Sequence, residues 1–205
     1  MGAGPANWAD LEREGADFAG RDLAEARMAR STFTRCRFAG AFLGEAEIVG
    51  CRFEECDFSN ARLNAAVLRE SAFTTCRFDG AGLFLARFEL CSLAGSSFVD
   101  VDMSAVTIAG GNWSWANLRH RNLGGLDLRD VTLAEADLYG ASLAGADLRG
   151  ADLTRANLDA ASLTRADLRG AVLSGAILRT ADLRDARLDV EQAMELARCH
   201  GARIG

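Results

Sequence analysis

Large apolar residues recur at every fifth position along most of this chain. From Phe18 to Leu188, every position whose number ends in 3 or 8 holds Phe, Leu, Met, Ile or Trp, 35 times in succession. Two residues before each of them the side chain is small, except at Arg21, Arg121 and Leu126. A short fixed repeat of this kind predicts a stack of similar structural units instead of an ordinary globular core.

A five-residue period fits neither a helix nor a plain strand. Five residues advance an α-helix by about 500°, so the large side chains would circle it instead of forming a stripe. In a strand, an odd period places successive repeats on opposite sides of the sheet. A chain that turns a corner once per repeat solves both problems. Glycines such as Gly145 and Gly150 end many pentads, where a turn with positive φ is expected.

The pentads resemble the pentapeptide-repeat family, whose consensus is A-(D/N)-L-x-x. The stretch Ala146-Asp147-Leu148-Arg149-Gly150 carries the resemblance most clearly. The resemblance implies an all-β solenoid, a right-handed quadrilateral β-helix with four pentads per coil. Every twentieth residue would then share a column, as Phe18, Phe38 and Phe58 do. We expect an N-terminal lead-in over residues 1–15, the β-helix over 16–188, and a C-terminal helix and tail over 189–205.

The residues after Leu188 predict a short helix that caps the stack. Asp189 and Gln192 have the spacing of a capping box, and Gly201 can end the helix. This ending is similar to that of the MfpA branch of the family, and the similarity implies a homodimer formed through the C-terminal cap. The candidate interface residues, which include apolar positions at helical spacing, are Val190, Met194, Leu196 and Ala197.

Catalysis and metal binding have little support in the sequence. Cys36, Cys51, Cys56, Cys76 and Cys91 occupy the small inward position of the pentad, which favours core packing over a metal site or a disulfide. Cys199 is expected to be a free thiol. His120 and His200 belong to no spaced ligand cluster. We therefore predict no catalytic, metal or cofactor site, and a protein that is not an enzyme.

Hydrophobic residues make up 49% of the chain, but the repeat spreads them evenly. No apolar run approaches the length of a membrane span, and the N-terminus lacks a basic segment followed by an apolar one. These features predict a cytoplasmic protein without a membrane partner.

The family resemblance implies a rod that mimics duplex DNA and binds bacterial DNA gyrase, with reduced susceptibility to quinolones or another gyrase-directed inhibitor. Direct nucleic-acid binding is not expected. The repeat keeps its phase throughout, which leaves no room for the projecting loops of Qnr-type proteins and favours the MfpA branch. The alternative is a generic interaction scaffold unrelated to topoisomerases.

Two sets of residues are candidates for partner binding. The net charge is −6, and Asp127, Asp147 and Asp167 form a predicted acidic ladder at twenty-residue spacing. An arginine follows each aspartate two residues later, so mutual neutralisation is the competing interpretation. Phe84, Leu85 and Trp115 are apolar at positions expected to face solvent. The region from Gly110 to Leu126 breaks the small-residue rule, and adaptation to tryptophan packing is its alternative explanation.

Overall fold

A computed structural model of the chain describes residues 6–203 and shows a β-solenoid of four faces. The paired residues are twenty positions apart, so a coil contains four pentads. The pairing is parallel throughout. The predicted fold class is confirmed, because an i to i+20 register arises only when four pentads complete one turn.

Faces 1 and 2 contain all ten short strands. Face 1 is a six-stranded sheet made of β1 (Asn7–Ala9), β3 (Arg27–Ala29), β5 (Glu47–Val49), β7 (Val67–Arg69), β9 (Arg87–Glu89) and β10 (Thr107–Ala109). Face 2 is a four-stranded sheet made of β2 (Glu12–Glu14), β4 (Thr32–Thr34), β6 (Arg52–Glu54) and β8 (Ala72–Thr74). Because β1 and β2 belong to these sheets, the solenoid begins before the predicted boundary at residue 16.

Single bridges take the place of strands on the other two faces. Face 3 begins with the bridge Asp17 to Arg37, and face 4 with the bridge Asp22 to Phe42. Single bridges also continue faces 1 and 2 in the C-terminal part, for example between Asp127 and Asp147. The N–H and C=O groups of each coil are therefore bonded to the coils on either side over most of the rod.

The interior is filled by the large and small residues of each pentad. Phe18, Phe38 and Phe58 stack with ring centroids 4.9 and 4.8 Å apart, a spacing close to that of neighbouring strands. Further along the rod, leucines such as Leu148 and Leu153 are fully buried. Each pentad thus sends one large and one small side chain inward, as the sequence predicts.

The corners between faces use a left-handed backbone at the last residue of the pentad. Positive φ occurs there in glycines and also in 21 other residues, among them Trp115 and Ala160. From Asp10 to Asp185, Ala105 and Thr180 are the only pentad-ending residues outside this region. The turn is therefore set by the solenoid geometry, and glycine is favoured at it but not required.

The helix α1 (Val190–Cys199) covers two faces of the last coil. Asp189 is its N-cap and forms the predicted capping box with Gln192. The Gln192 side chain is buried and donates from Nε2 to the carbonyl of Ala171 at 2.9 Å. Cys199, expected to be a free thiol, is one, but its Sγ also donates to the carbonyl of Ala176 at 3.2 Å. Side chains of the helix thus replace ladder partners that the last coil lacks.

Candidate interaction surface

Face 1 presents the acidic ladder predicted from the sequence. Asp127, Asp147 and Asp167 follow one another on this face, and the next position in the column is Arg187. The aspartate side chains are exposed by 57%, 29% and 16% respectively, so the ladder becomes more enclosed toward the C-terminus. The register therefore does bring the three carboxylates into one column.

Each carboxylate in this column is paired with the arginine two residues later. Arg149 donates from Nε to one oxygen of Asp147 at 2.8 Å and from Nη2 to the other at 2.6 Å. The same two-bonded geometry joins Arg129 to Asp127 and Arg169 to Asp167. The fixed fork of the guanidinium matches a carboxylate in this way.

The arginines also act between coils. The Arg129 Nε lies 3.7 Å from an oxygen of Asp147. The Arg169 guanidinium lowers the pKa of Asp167 to about 2, and the neighbouring arginines lower the pKa of Asp127 and Asp147 in the same direction. The column is consequently a row of alternating charges, which differs from the uniform negative row of a DNA backbone.

Apolar side chains project from face 1 two coils before Asp127. Phe84 and Leu85 lie at the corner between faces 4 and 1, and Leu90 lies at the corner between faces 1 and 2. Their exposed fractions are 63%, 54% and 66%. We call Phe84, Leu85 and Leu90 the apolar rim. A contiguous exposed apolar patch marks a contact with another protein, and the apolar rim is therefore a candidate for such a contact.

Trp115 belongs to a different side of the rod. It lies at the corner between faces 2 and 3, diagonally opposite Leu85, and is 59% exposed. Trp113, two residues earlier, is fully buried and lies against Phe98 with ring centroids 5.3 Å apart. The structure therefore brings Phe84 and Leu85 together but separates Trp115 from them.

The five cysteines of the repeat are buried in the core, as the sequence predicts. Five thiols occupy the inward small position, and burial raises the pKa of Cys91 to about 11, which keeps it protonated at neutral pH. Within residues 6–203 there is no group of three His, Cys, Asp or Glu side chains arranged to hold a metal ion. Over the same residues, no helix has the length and apolar character needed to cross a membrane.

The sequence profile of pentapeptide repeats matches residues 14–47, 46–83, 114–150 and 151–189. The chain belongs to the pentapeptide-repeat family. The profile leaves out residues 84–113, which include the whole apolar rim. Phe84, Leu85 and Leu90 therefore lie in the segment that the profile does not cover.

Solved structures from this family resemble the whole chain. A trypsin-treated variant of QnrB1, a plasmid-mediated fluoroquinolone resistance protein, is 25% identical, with a TM-score of 0.83 over 97% of this chain and 99% of that one. HetL, a pentapeptide-repeat protein involved in heterocyst differentiation regulation in the cyanobacterium Nostoc, is 32% identical, with a TM-score of 0.55 over 88% of each chain. Comparison with curated proteins gives no match.

Proposed function

We propose that this protein binds bacterial DNA gyrase and modulates or protects it, reducing susceptibility to quinolones or another gyrase-directed inhibitor. The observation that carries the proposal is the end-to-end similarity to QnrB1, a fluoroquinolone resistance protein. We propose a closer relationship to the MfpA-type members, which the C-terminal helix and the unbroken five-residue phase support. The protein would act in the cytoplasm, where gyrase is found.

A binding role also follows from how the rod is built. Its interior is packed with columns of Phe and Leu, whereas ligand and active sites need concave space lined by a few convergent polar groups. The side chains free to meet a partner lie on flat faces and corners. We therefore infer recognition of a protein surface without a chemical step.

Two surfaces on face 1 could supply this recognition, and the ion pairs favour one of them. Each aspartate of the ladder already shares its charge with an arginine, so an approaching partner would have to compete with bonds of 2.6 to 2.9 Å. The apolar side chains of the rim form no ion pairs that a partner would have to break. Burial of Phe84, Leu85 and Leu90 by a partner would remove large apolar areas from water. We propose the apolar rim as the main contact and the charged column as its flank.

A general interaction scaffold remains the second candidate function. The similarity to HetL favours it, because that protein shares the family and is involved in the regulation of cell differentiation. A scaffold of this kind would use the same apolar rim on a partner other than a topoisomerase.

A DNA supercoiling assay with purified gyrase distinguishes the two candidates. We expect the wild-type protein at micromolar concentration to inhibit supercoiling or to relieve its inhibition by a quinolone. Combined alanine substitution of Phe84, Leu85 and Leu90 should abolish the effect, and the effect of the wild-type protein should depend only weakly on salt concentration. Loss of the effect when Asp127, Asp147 and Asp167 are all replaced by Arg, with strong salt dependence in the wild type, would place recognition on the charged column instead.

The matched control for these variants is Trp115→Ala, which removes an equally exposed aromatic side chain from the opposite corner. It should leave the effect intact if face 1 makes the contact. A wild-type protein without any effect on gyrase, at any concentration up to solubility, would favour the scaffold.

We also propose that the C-terminal cap forms a homodimer. By helical geometry, Val190, Met194 and Ala197 share one side of α1, opposite the buried Gln192. Leu196 packs against the core of the rod. Val190 is 74% exposed, and the last leucines of the solenoid, Leu183 and Leu188, are only partly covered. A second copy would cover these apolar groups in an isologous interface.

Light scattering tests the dimer. We expect the intact protein to be dimeric and the truncation after Leu188 to be monomeric. Because truncation also removes the side chains that bond to Ala171 and Ala176, the variant Val190→Asp provides a milder test and should shift the population toward monomer. Thr75→Asp, a similar change at an exposed corner far from the cap, is its control. An unchanged oligomeric state in both the truncated protein and Val190→Asp would refute this interface.

A further inference from the structure

The hydrogen-bond ladder opens at one place in the rod. On face 4, the bridges that would join Gly82 to Asp102 and Asp102 to Asn122 are absent, although Arg62 to Gly82 and Asn122 to Ser142 are present. On face 1, no bridge joins Thr107 to Asp127. We call this interruption the open seam. It lies entirely within the part of the chain that the structure describes, residues 6–203.

The other two faces stay closed at the same level of the rod. On face 2, bridges join Ser92, Asn112 and Thr132 in series. On face 3, bridges join Ser97, Asn117 and Asp137. Two stacks of coils are thus connected by continuous ladders on faces 2 and 3 and separated by the open seam on faces 4 and 1. In this arrangement the two stacks can tilt relative to each other about faces 2 and 3, where the ladders are continuous.

The sizes of inward side chains explain why the ladder opens there. The small position of the pentad holds alanine at Ala81 and Ala141, but between them in the same column lie Val101 and Arg121. In the next column, Val106 lies over Leu126 between Ala86 and Ala146. When the small position holds a side chain larger than alanine in two neighbouring coils, the two side chains need more space along the rod axis than one coil spacing of about 4.8 Å provides.

A third column shows that valine alone does not open the ladder. Val131 also occupies the small position, yet Asp152 donates to its carbonyl at 3.0 Å in the regular way. The residue above it is Gly111, whose lack of a side chain compensates for the larger valine. The seam therefore follows from two bulky residues in succession, which occur only in the columns of faces 4 and 1.

Arg121 partly replaces the bonds that the seam has lost. Its side chain, only 15% exposed, donates from Nη1 to the carbonyl of Val101 at 3.1 Å and from Nε to the carbonyl of Arg119 at 3.0 Å. In a regular coil the Val101 carbonyl would accept from the backbone N–H of Asn122. A side-chain donor can follow its acceptor when the gap changes width, which a backbone ladder cannot do.

The turn at the seam also departs from its neighbours. Ala105, which ends the pentad within the seam, does not take the positive φ found at the equivalent corner residues Leu85 and Gly125. The corner directly below Leu85 is thus one of the two at which the pentad-ending residue lacks the left-handed backbone.

We propose that the open seam is a hinge: the rod flexes about faces 2 and 3, with Arg121 as an adjustable clasp on face 4. Phe84 and Leu85 lie on the open side, directly above the seam on face 4, whereas Leu90 lies at the far edge of face 1. Flexing would change the angle between the apolar rim and the charged column of Asp127, so a single rod could fit partner surfaces of different curvature. This inference does not depend on which partner is bound.

Hydrogen exchange tests the seam in the wild-type protein. The amides of Met103, Asn122 and Asp127 lack ladder acceptors and should exchange about tenfold faster or more than those of Leu123, Ser142 and Asp147, which have them. Equal protection in the two sets would overturn the proposal at once.

Distances between spin labels test the motion itself. In a Cys199→Ser background, labels at Ala65 and Gly145 span four coil steps at the corner between faces 4 and 1. Labels at Glu55 and Glu135 span four steps at the opposite corner. We expect a clearly broader distance distribution across the seam than across the closed corner. Distributions of equal width would show that the rod is rigid.

Two variants with opposite expected effects complete the test. Arg121→Met removes the donor groups of the clasp but keeps a large side chain next to Val101, so it should broaden the distribution across the seam and speed exchange further. Replacing Val101, Val106, Arg121 and Leu126 together by alanine restores the sizes found in neighbouring coils, and should narrow the distribution and slow exchange. Identical behaviour of both variants and the wild type would contradict the proposed cause.

Discussion

Leu148→Ala is expected to lower the free energy of unfolding by roughly 2–5 kcal/mol. The Leu148 side chain is fully buried in the column of inward leucines, with Leu128 and Leu168 one coil away on either side. Its removal would leave a cavity that the two ladders around it prevent from collapsing, because Leu148 N–H bonds to Asp167 and Asp147 N–H bonds to Leu126. Denaturant unfolding at equilibrium measures the loss.

Arg149→Ala is the matched control, one residue further along the same pentad. The Arg149 side chain is 45% exposed, and its ion pair with Asp147 lies at the surface. Exposed pairs of this kind contribute about 0–1 kcal/mol, so the change should be close to silent. Similar losses in Leu148→Ala and Arg149→Ala would contradict the pentad register on which the whole fold rests.

The register could be predicted because it depends on the identity of single residues. One large apolar residue every five positions fixes which side chain points inward, and the return of phenylalanine every twenty residues fixes the coil length. The structure confirms both in the stack of Phe33, Phe53 and Phe73, whose ring centroids are 4.9 and 4.7 Å apart. The capping box at Asp189 was equally local, since a helix start needs only a few adjacent residues.

The open seam could not be found in this way because it depends on pairs of residues far apart in sequence. Val101 and Val106 satisfy the rule for small inward residues, so the sequence pattern predicts an irregularity only from Gly110 onward. The signal is the summed size of Val101 with Arg121, and of Val106 with Leu126, each pair twenty residues apart. A comparison of inward sizes between neighbouring coils would have shown that the irregular region begins at Val101.

The candidate site was predicted in part for a similar reason. The exposure of Phe84, Leu85 and Trp115 follows from their place in the pentad, and the structure shows it. Their separation onto opposite corners follows only after each pentad is assigned to a face. The charge of the aspartate column could likewise be judged only once the two-bonded pairing of Asp147 with Arg149 was visible.

Gly111→Ala should be among the most destabilising single substitutions on the backbone of this rod. A Cβ atom at Gly111 would lie 2.2 Å from the carbonyl oxygen of Cys91 and 3.0 Å from its nitrogen. That carbonyl already accepts the Asn112 N–H at 2.9 Å, within the face 2 ladder that stays closed beside the seam. To relieve the clash, Cys91 and residue 111 would have to move apart, which would break this ladder. The new methyl group would also lie between Cys91 and Val131, where the column has no room for it.

We expect Gly111→Ala to cost roughly 3–5 kcal/mol, of which the positive φ of 97° accounts for only about 1–2 kcal/mol. Gly145→Ala separates the two contributions, because Gly145 also has a positive φ, of 68°, but a Cβ there meets no atom within 4 Å. Thermal and denaturant unfolding of both variants would measure the difference. If Gly111→Ala lost no more stability than Gly145→Ala, the close approach of Gly111 to Cys91 would be wrong, and with it the tight ladder on face 2 that serves as the line about which the rod flexes.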